Sequence, residues 1–290
     1  MYGSAKAQAM KRAVTMWSES GGVGKTTMAT NTAAALGRRD ADVLVVDLDP
    51  QLGSLTDHVG FGDLKTTDDD HLGDVLLDQE RDASELVVDA GDFDLIPSHE
   101  GLANIESEMA ARNTSLREFQ LRSSLSPLAG EYDYFLVDPP ATLNVLVDNA
   151  LVAARDVVIP IELTRKGSVS IDGLEDTLDS MERGFRTFDD AFALGILAVV
   201  PNEVGDSNIY REVREELETD GKPVTPFGVR KRDVLKEAWR NHMSVFEFAD
   251  SAETRDLRPY EEDLLDQFDT VARIVERGSV EAALDVEVAQ

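Results

Sequence analysis

The segment Gly21-Gly22-Val23-Gly24-Lys25-Thr26-Thr27 lies between an apolar run, Val14 to Trp17, and a helix-forming stretch, Met28 to Leu36. No other stretch constrains this chain so strongly. A strand that must turn abruptly into a helix needs residues without a Cβ, and three glycines provide for that. Successive backbone N–H groups of such a loop converge on phosphate oxygens, and the following helix adds the positive end of its dipole. A plain glycine turn is the competing reading, but it does not need Lys-Thr at its end. In the phosphate reading Gly21, Gly22, Val23, Gly24, Lys25, Thr26 and Thr27 form the cradle. Lys25 then reaches the β- and γ-phosphates, and Thr26 offers a hydroxyl to the magnesium ion that bridges them.

The rest of the chain suits that loop. Short apolar runs, Val14 to Trp17, Val43 to Asp49, Phe93 to Pro97, Tyr134 to Asp138, Val157 to Ile161 and Ile196 to Val200, read as buried strands. Helices are expected at Thr26 to Arg39, Leu102 to Leu125, Val145 to Ala153, Ile171 to Arg183, Ile209 to Thr219, Asp233 to Asn241 and Tyr260 to Arg277. The alternation predicts an α/β fold, a doubly wound, mostly parallel twisted sheet flanked by helices. Residues 13–278 are expected to form a single domain, after a flexible N-terminus (1–12) and before an acidic C-terminal tail (279–290) that frays or adds a last helical turn. Two less regular segments, Gly60 to Asp70 and Gly184 to Asp190, read as loops.

Two further acidic motifs lie downstream of the loop. Val43-Leu-Val-Val-Asp47-Leu48-Asp49-Pro50-Gln51 ends an apolar run in two acids one residue apart, which strand alternation places on one side. Beside a phosphate loop, one of Asp47 and Asp49 could hold a magnesium-bound water while the other orients an attacking water. The alternative is a strand that happens to end in acids. Asp138 closes Tyr134-Phe-Leu-Val-Asp138-Pro139-Pro140, where a carboxylate could hold magnesium through water and the prolines turn the chain off the sheet.

Composition excludes several chemistries. With no cysteine there are no disulfides, thiolate zinc sites or cysteine-held iron–sulfur clusters, and the four histidines lack metal-site spacing. No run approaches the roughly 20 apolar residues of a membrane span, and no signal-peptide core is evident, so a cytoplasmic location is expected. Asp and Glu number 57 against 28 Lys and Arg, a net charge of −29. The acids are dispersed, which fits solubility in a salt-rich cytoplasm better than an acidic interaction tail.

The three motifs, in this order, resemble the ParA/MinD/Soj family of deviant Walker-type ATPases, from about Val14 to Ala249. Gly-Gly-Val-Gly-Lys-Thr-Thr and Asp47-Leu48-Asp49-Pro50-Gln51 match that family's first two motifs. At the third, Asp138-Pro139-Pro140-Ala141 keeps one family proline at Pro140 and has Ala141 where a second is common. Val157-Val-Ile-Pro160 resembles the strand before the second switch, and Leu235-Lys-Glu-Ala238 a helix near the C-terminus. The resemblance implies ATP bound with Mg2+, an ATP-dependent homodimer, and slow hydrolysis stimulated by an adaptor protein. By position Lys25 is the phosphate lysine, Thr26 the magnesium ligand, and Asp49 the residue that positions the hydrolytic water. Asn202 falls where relatives contact the adenine, although an Asn after a strand is often only a turn residue.

One departure matters. The family's second lysine, which precedes the paired glycines and crosses to the partner's γ-phosphate, is Ser20 here, as in some carboxysome-positioning members. Arg165 and Lys166 are candidate substitutes. If neither acts, the alternative function is a nucleotide-gated regulatory module with little hydrolysis. A metabolic ligase on the same scaffold is a third possibility, for which no further catalytic constellation argues.

Arg230, Lys231, Arg232, Lys236 and Arg240 form the most basic window of the chain. Arg232, Lys236 and Arg240 share one helical stripe suited to nonspecific DNA phosphates, as in DNA-segregating relatives. The competing reading is a solvated face paired with acids such as Asp233 and Glu237. Salt opposes DNA binding: with about four phosphates neutralised, log K falls by roughly 3.6 per tenfold rise in salt. The residues Val280 to Gln290 carry Glu281, Asp285 and Glu287 and no basic face, so a membrane partner is not expected.

Overall fold

The computed structural model describes residues 11–285 apart from 205–207, without the side chains of 165, 166, 168–170, 203 and 204. The strands are β1 (Arg12–Met16), β2 (Val43–Asp47), β3 (Val88–Asp89), β4 (Asp94–Ile96), β5 (Tyr134–Asp138), β6 (Arg155–Ile161), β7 (Gly195–Val204) and β8 (Val229–Arg230). They form one sheet in the order β3-β4-β2-β5-β1-β6-β7-β8. Every neighbouring pair is parallel except β3 with β4. The helices are α1 (Lys25–Gly37), α2 (Leu55–His58), α3 (Leu72–Leu77), α4 (Ile105–Ala111), α5 (Gln120–Leu125), α6 (Val145–Ala154), α7 (Arg165–Phe185), α8 (Asn208–Thr219), α9 (Asp233–Arg240), α10 (Val245–Asp250), α11 (Asp263–Arg277) and α12 (Val280–Leu284).

Period-two alternation sorts the strand residues between two helical layers. Val14, Met16, Val43, Val45 and Leu136 face a core shared with α1, α10 and α11, whereas Ala13, Leu44, Val46, Phe135 and Val137 face α3, α4, α5 and α6. Trp17, Val157, Ile159 and Ile161 extend the second face toward α7 and α8. Helix α1 is buried from Met28 through Leu36, being held between the sheet and α11. Within it the buried Asn31 donates to the Thr27 carbonyl (2.8 Å) and accepts from the Val245 N–H (2.7 Å), which ties α10 to the loop helix.

The single helix expected over Leu102 to Leu125 is instead α4, a break and α5. Asn113 (φ 53°) and Leu116 (φ 48°) adopt the left-handed conformation that ends a helix. Strand β2 stops at Asp47, not at Asp49, because the Asp47 carboxylate accepts the N–H of Asp49 and that of Asp49 accepts the N–H of Gln51, both at 3.0 Å. These side-chain bonds replace ladder bonds and bend the chain off the sheet. Within 279–290, Val280–Leu284 forms α12 with Val280 and Ala283 buried, and residues 286–290 lie outside the described residues. Of the N-terminal stretch, 1–10 is likewise outside, while Lys11 pairs with Asp133 at 3.1 Å.

Candidate nucleotide and metal site

The three motifs meet because β1, β2 and β5 are neighbours in a parallel sheet, so their carboxyl ends open on one side. Gly22 (φ 77°) and Gly24 (φ 88°) take left-handed conformations in the loop. A Cβ on Gly24 would also lie 2.1 Å from the Asn202 amide nitrogen, so a side chain here would be strained by the backbone and would push Asn202 out of place. The first turn of α1 contains no acidic residue and receives no side-chain cap. Its leading N–H groups and dipole are therefore left for an anion, the fit that a phosphate requires.

Lys25 is buried, and its ammonium donates to the Ser20 carbonyl at 3.2 Å. Burial lowers its pKa, an effect opposed by the charges of Asp138 and Asp49. Thr26 donates its hydroxyl to Asp138 Oδ2 at 2.8 Å. The other oxygen, Asp138 Oδ1, is buried with no hydrogen-bond partner among the described residues. An unpaired carboxylate oxygen inside a protein is costly, and here burial, reinforced by the charge of Asp47, raises the Asp138 pKa well above the usual carboxylate range. A hard cation beside Thr26 Oγ1 and Asp138 would relieve that cost, and an all-oxygen donor set is what Mg2+ takes.

Asp47 is differently placed. It is fully buried, and besides the Asp49 N–H it accepts from Ser54 Oγ (2.6 Å), Thr56 N–H (2.8 Å) and Thr56 Oγ1 (2.7 Å). Asp49 is half-buried and within electrostatic reach of Lys25, and its carboxylate accepts one described hydrogen bond, from the Gln51 N–H. Its backbone carbonyl is held by Ser98 Oγ at 2.7 Å, a contact with no signal in the sequence.

Asn202 lies within β7, paired opposite Val229, and not in a turn after the strand, and it donates its amide to the Val23 carbonyl at 2.7 Å. It buttresses the loop from beneath. Beyond it opens a cavity of about 360 Å³, bordered by Gly22, Gly24, Thr27, Leu235 and Trp239. Arg230, Lys231, Arg232, Lys236 and Arg240 line this same cavity, so the basic stripe and the loop share one space. Lys231, Lys236 and Arg240 are exposed, and Arg230 is half-buried. Arg232 lies over the Tyr260 ring at 5.0 Å with Asp263 3.9 Å away, and Lys236 has Asp233 at 3.7 Å.

Ser20 and Gly21 border a smaller cavity with Glu162 and Thr164, the residue that caps α7. The backbone puts Arg165 and Lys166 in the first turn of α7, beside that cavity, but their side chains lie outside the described residues.

A glycine loop feeding an uncapped helix, with acidic strand ends beside it on a doubly wound sheet, defines a P-loop nucleotide-binding protein. A family model described as an AAA domain matches residues 11–192. The chromosome partitioning protein ParA of Myxococcus xanthus is 34% identical over 210 residues, 71% of this chain and 70% of the relative. The sporulation initiation inhibitor protein Soj of Bacillus subtilis is 30% identical over 258 residues, 80% of this chain and all of the relative. The chain belongs to the ParA/Soj-like family of partition and positioning P-loop ATPases. Among solved structures, an ATP complex of a McdA variant from Cyanothece shares the fold, with TM-score 0.71, 23% identity, and coverage of 92% of this chain and 97% of that one. Cobyrinic acid a,c-diamide synthase from Mycobacterium smegmatis with ADP and magnesium has TM-score 0.65 and 28% identity, covering 83% and 93%.

Proposed function

We infer that this protein binds ATP with Mg2+, forms a face-to-face homodimer when it does so, hydrolyses the nucleotide slowly, and holds DNA nonspecifically while it segregates DNA or positions a cargo. The observation that carries the reading is the buried Asp138, hydrogen-bonded by the half-buried Thr26 and with its other carboxylate oxygen unpartnered among the described residues, set beside an uncapped, acid-free helix start. Thr26 and Asp138 would hold the magnesium ion, which supplies charge neutralisation across the β- and γ-phosphates.

The remaining steps belong to the chain's own residues. The N–H groups from Gly21 to Thr27 bind the phosphates, and Lys25 leaves the Ser20 carbonyl to join them. Asp49 is the carboxylate that orients the attacking water, because Asp47 has both oxygens committed to holding the loop that follows β2. Asn202 keeps the loop in place and leaves the cavity between Thr27 and Trp239 for the base.

The basic residues support nonspecific DNA contact from the exposed Lys231, Lys236 and Arg240. An adaptor protein would stimulate turnover and select the cargo. The replacement of the interface lysine by Ser20 favours a second reading, a nucleotide-gated binding module with little hydrolysis. Phosphate release measured with DNA and the adaptor present separates the two: turnover supports the first reading, and none supports the second.

The dimer is tested by size analysis of Asp49→Ala with ATP and magnesium. A shift from monomer to dimer is expected. A variant that stays monomeric at every protein concentration overturns the switching model.

A further inference from the structure

Toward the amino-terminal ends of β1 and β6, away from the phosphate loop, a cavity of about 280 Å³ opens between the sheet and α5 and α6. It exists because its walls are small: Ala13 on β1, Ala153 and Ala154 at the end of α6, and Ala129 in the turn after α5. Leu125, Phe135 and Val137 add to a mainly apolar lining that Ser126 interrupts. Two arginines share this space, Arg122 from α5 and Arg155 at the head of β6.

Arg155 is held rigidly. Its backbone is left-handed (φ 64°), a conformation unfavourable for a non-glycine residue, and is fixed by pairing opposite Ala13 in the sheet. Its guanidinium lies 4.7 Å from the Phe192 ring centroid and donates to Asp189 at 2.7 Å, and its Nε is buried with no partner among the described residues. Arg122 stands at the exposed mouth and has no ion pair among the described residues. Burial and then the neighbouring Arg155 disfavour its charge, an effect Asp189 only opposes. Two guanidiniums and one carboxylate leave one positive charge at the mouth of an apolar cavity, on a chain whose net charge is −29.

We propose that this cavity binds a monocarboxylate carrying a small branched or aromatic hydrocarbon, with the carboxylate taken between the Arg122 and Arg155 guanidiniums and the hydrocarbon seated among the alanines. The guanidinium fork matches a carboxylate in shape and charge, and one negative charge balances the local excess. The carboxylate could belong to a free organic acid or to the C-terminus of a peptide. The site stands independently of the nucleotide reading, because no residue is shared between them.

Calorimetry in low-chloride buffer without nucleotide tests it, using acetate, isovalerate, phenylacetate, the corresponding amides, inorganic phosphate, and a leucine-ended peptide with free or amidated C-terminus. Isovalerate or phenylacetate, or the free-ended peptide, should bind more tightly than acetate or phosphate, and the amides should not bind. A response to the free acids identifies a small molecule as the source, and a response to the peptide alone identifies a chain terminus. Arg122→Gln should weaken binding by about tenfold or more. Ala129→Leu, which keeps both arginines and fills the cavity, should abolish it. Lys25→Ala should leave it unchanged, so failure here is distinguishable from failure of the nucleotide site. Phosphate binding as tightly as the organic acids, no heat from any carboxylate, or unaltered affinity in Arg122→Gln overturns the proposal.

Discussion

Replacing Lys65 by Met should loosen the loop that carries Asp49. Lys65 lies in a short 3-10 helix (Gly62–Thr66), within the Gly60 to Asp70 stretch expected to be a loop, and is only 3% exposed, yet all its donors are used. The ammonium reaches the Gln51 carbonyl, Ser54 Oγ at 2.8 Å and Asp57 Oδ2 at 2.9 Å. Ser54 in turn donates to Asp47 at 2.6 Å, so a single cation joins both ends of the loop to the end of β2. Hydrogen bonds to a charged group contribute roughly 1.5–3 kcal/mol each, but the three do not sum. Gln51 is exposed and the Asp57 side chain is 24% exposed, so water replaces the ammonium at both; only the Ser54 contact is fully buried. Methionine preserves the apolar stem. The expected loss is therefore about 2–3 kcal/mol in urea unfolding, with faster amide exchange concentrated in residues 51–57. A change below about 0.5 kcal/mol, the usual scale of an unremarkable surface substitution, with unaltered exchange would refute the assignment of Lys65 as the anchor.

Other perturbations have equally definite signs. Asp138→Asn should stabilise the ligand-free protein by roughly 1–3 kcal/mol at neutral pH while weakening magnesium-dependent nucleotide binding. Because the folded pKa of Asp138 is raised, the parent should lose stability relative to that variant as pH rises from the usual carboxylate range, and urea titrations at low and neutral pH would show the gap widening. His58, buried against Trp239 with ring centroids 4.1 Å apart, has its pKa lowered by burial from 6.5 to about 4. The unfolded chain then takes the proton first, so stability should fall by up to about 3 kcal/mol as pH drops from 6.5 toward 4, a slope that His58→Gln should flatten. Asn202→Ala leaves the Val23 carbonyl without its described partner and should weaken nucleotide binding by about tenfold in calorimetry.

The sheet's interior was legible because parallel strands covered on both faces must be apolar throughout, as Val43 to Val46 and Tyr134 to Val137 are. The two-residue strands β3 and β8 are too short to carry a pattern, and each lies at an edge of the sheet where burial is one-sided. The break between α4 and α5 had a local signal in Asn113, a residue tolerant of the left-handed region, but Leu116 in the same conformation had none. In the site, the loop and the three acids could be picked out by residue type and spacing. Their distinct placements could not: Asp47 and Asp49 differ only in which hydroxyls and N–H groups the fold brings to them, and Ser54, Thr56 and Ser98 carry no motif. The basic window was visible in the sequence, but the stripe expected from the spacing of Arg232, Lys236 and Arg240 is incomplete, because Arg232 is the extended, half-buried N-cap of α9 and only Lys236 and Arg240 lie on the helix; the window's place beside the loop depends on how α9 packs.

Isothermal calorimetry of ATP binding with and without magnesium, on the parent and on Lys25→Ala, bears most directly on the grip of one loop and Asp138 on nucleotide and metal together. The parent should release heat with a clear magnesium dependence, and Lys25→Ala should bind roughly a hundredfold more weakly, as expected when a charge-assisted contact to phosphate is removed. No heat from ATP under either condition, or a Lys25→Ala isotherm that overlays the parent's, would contradict it.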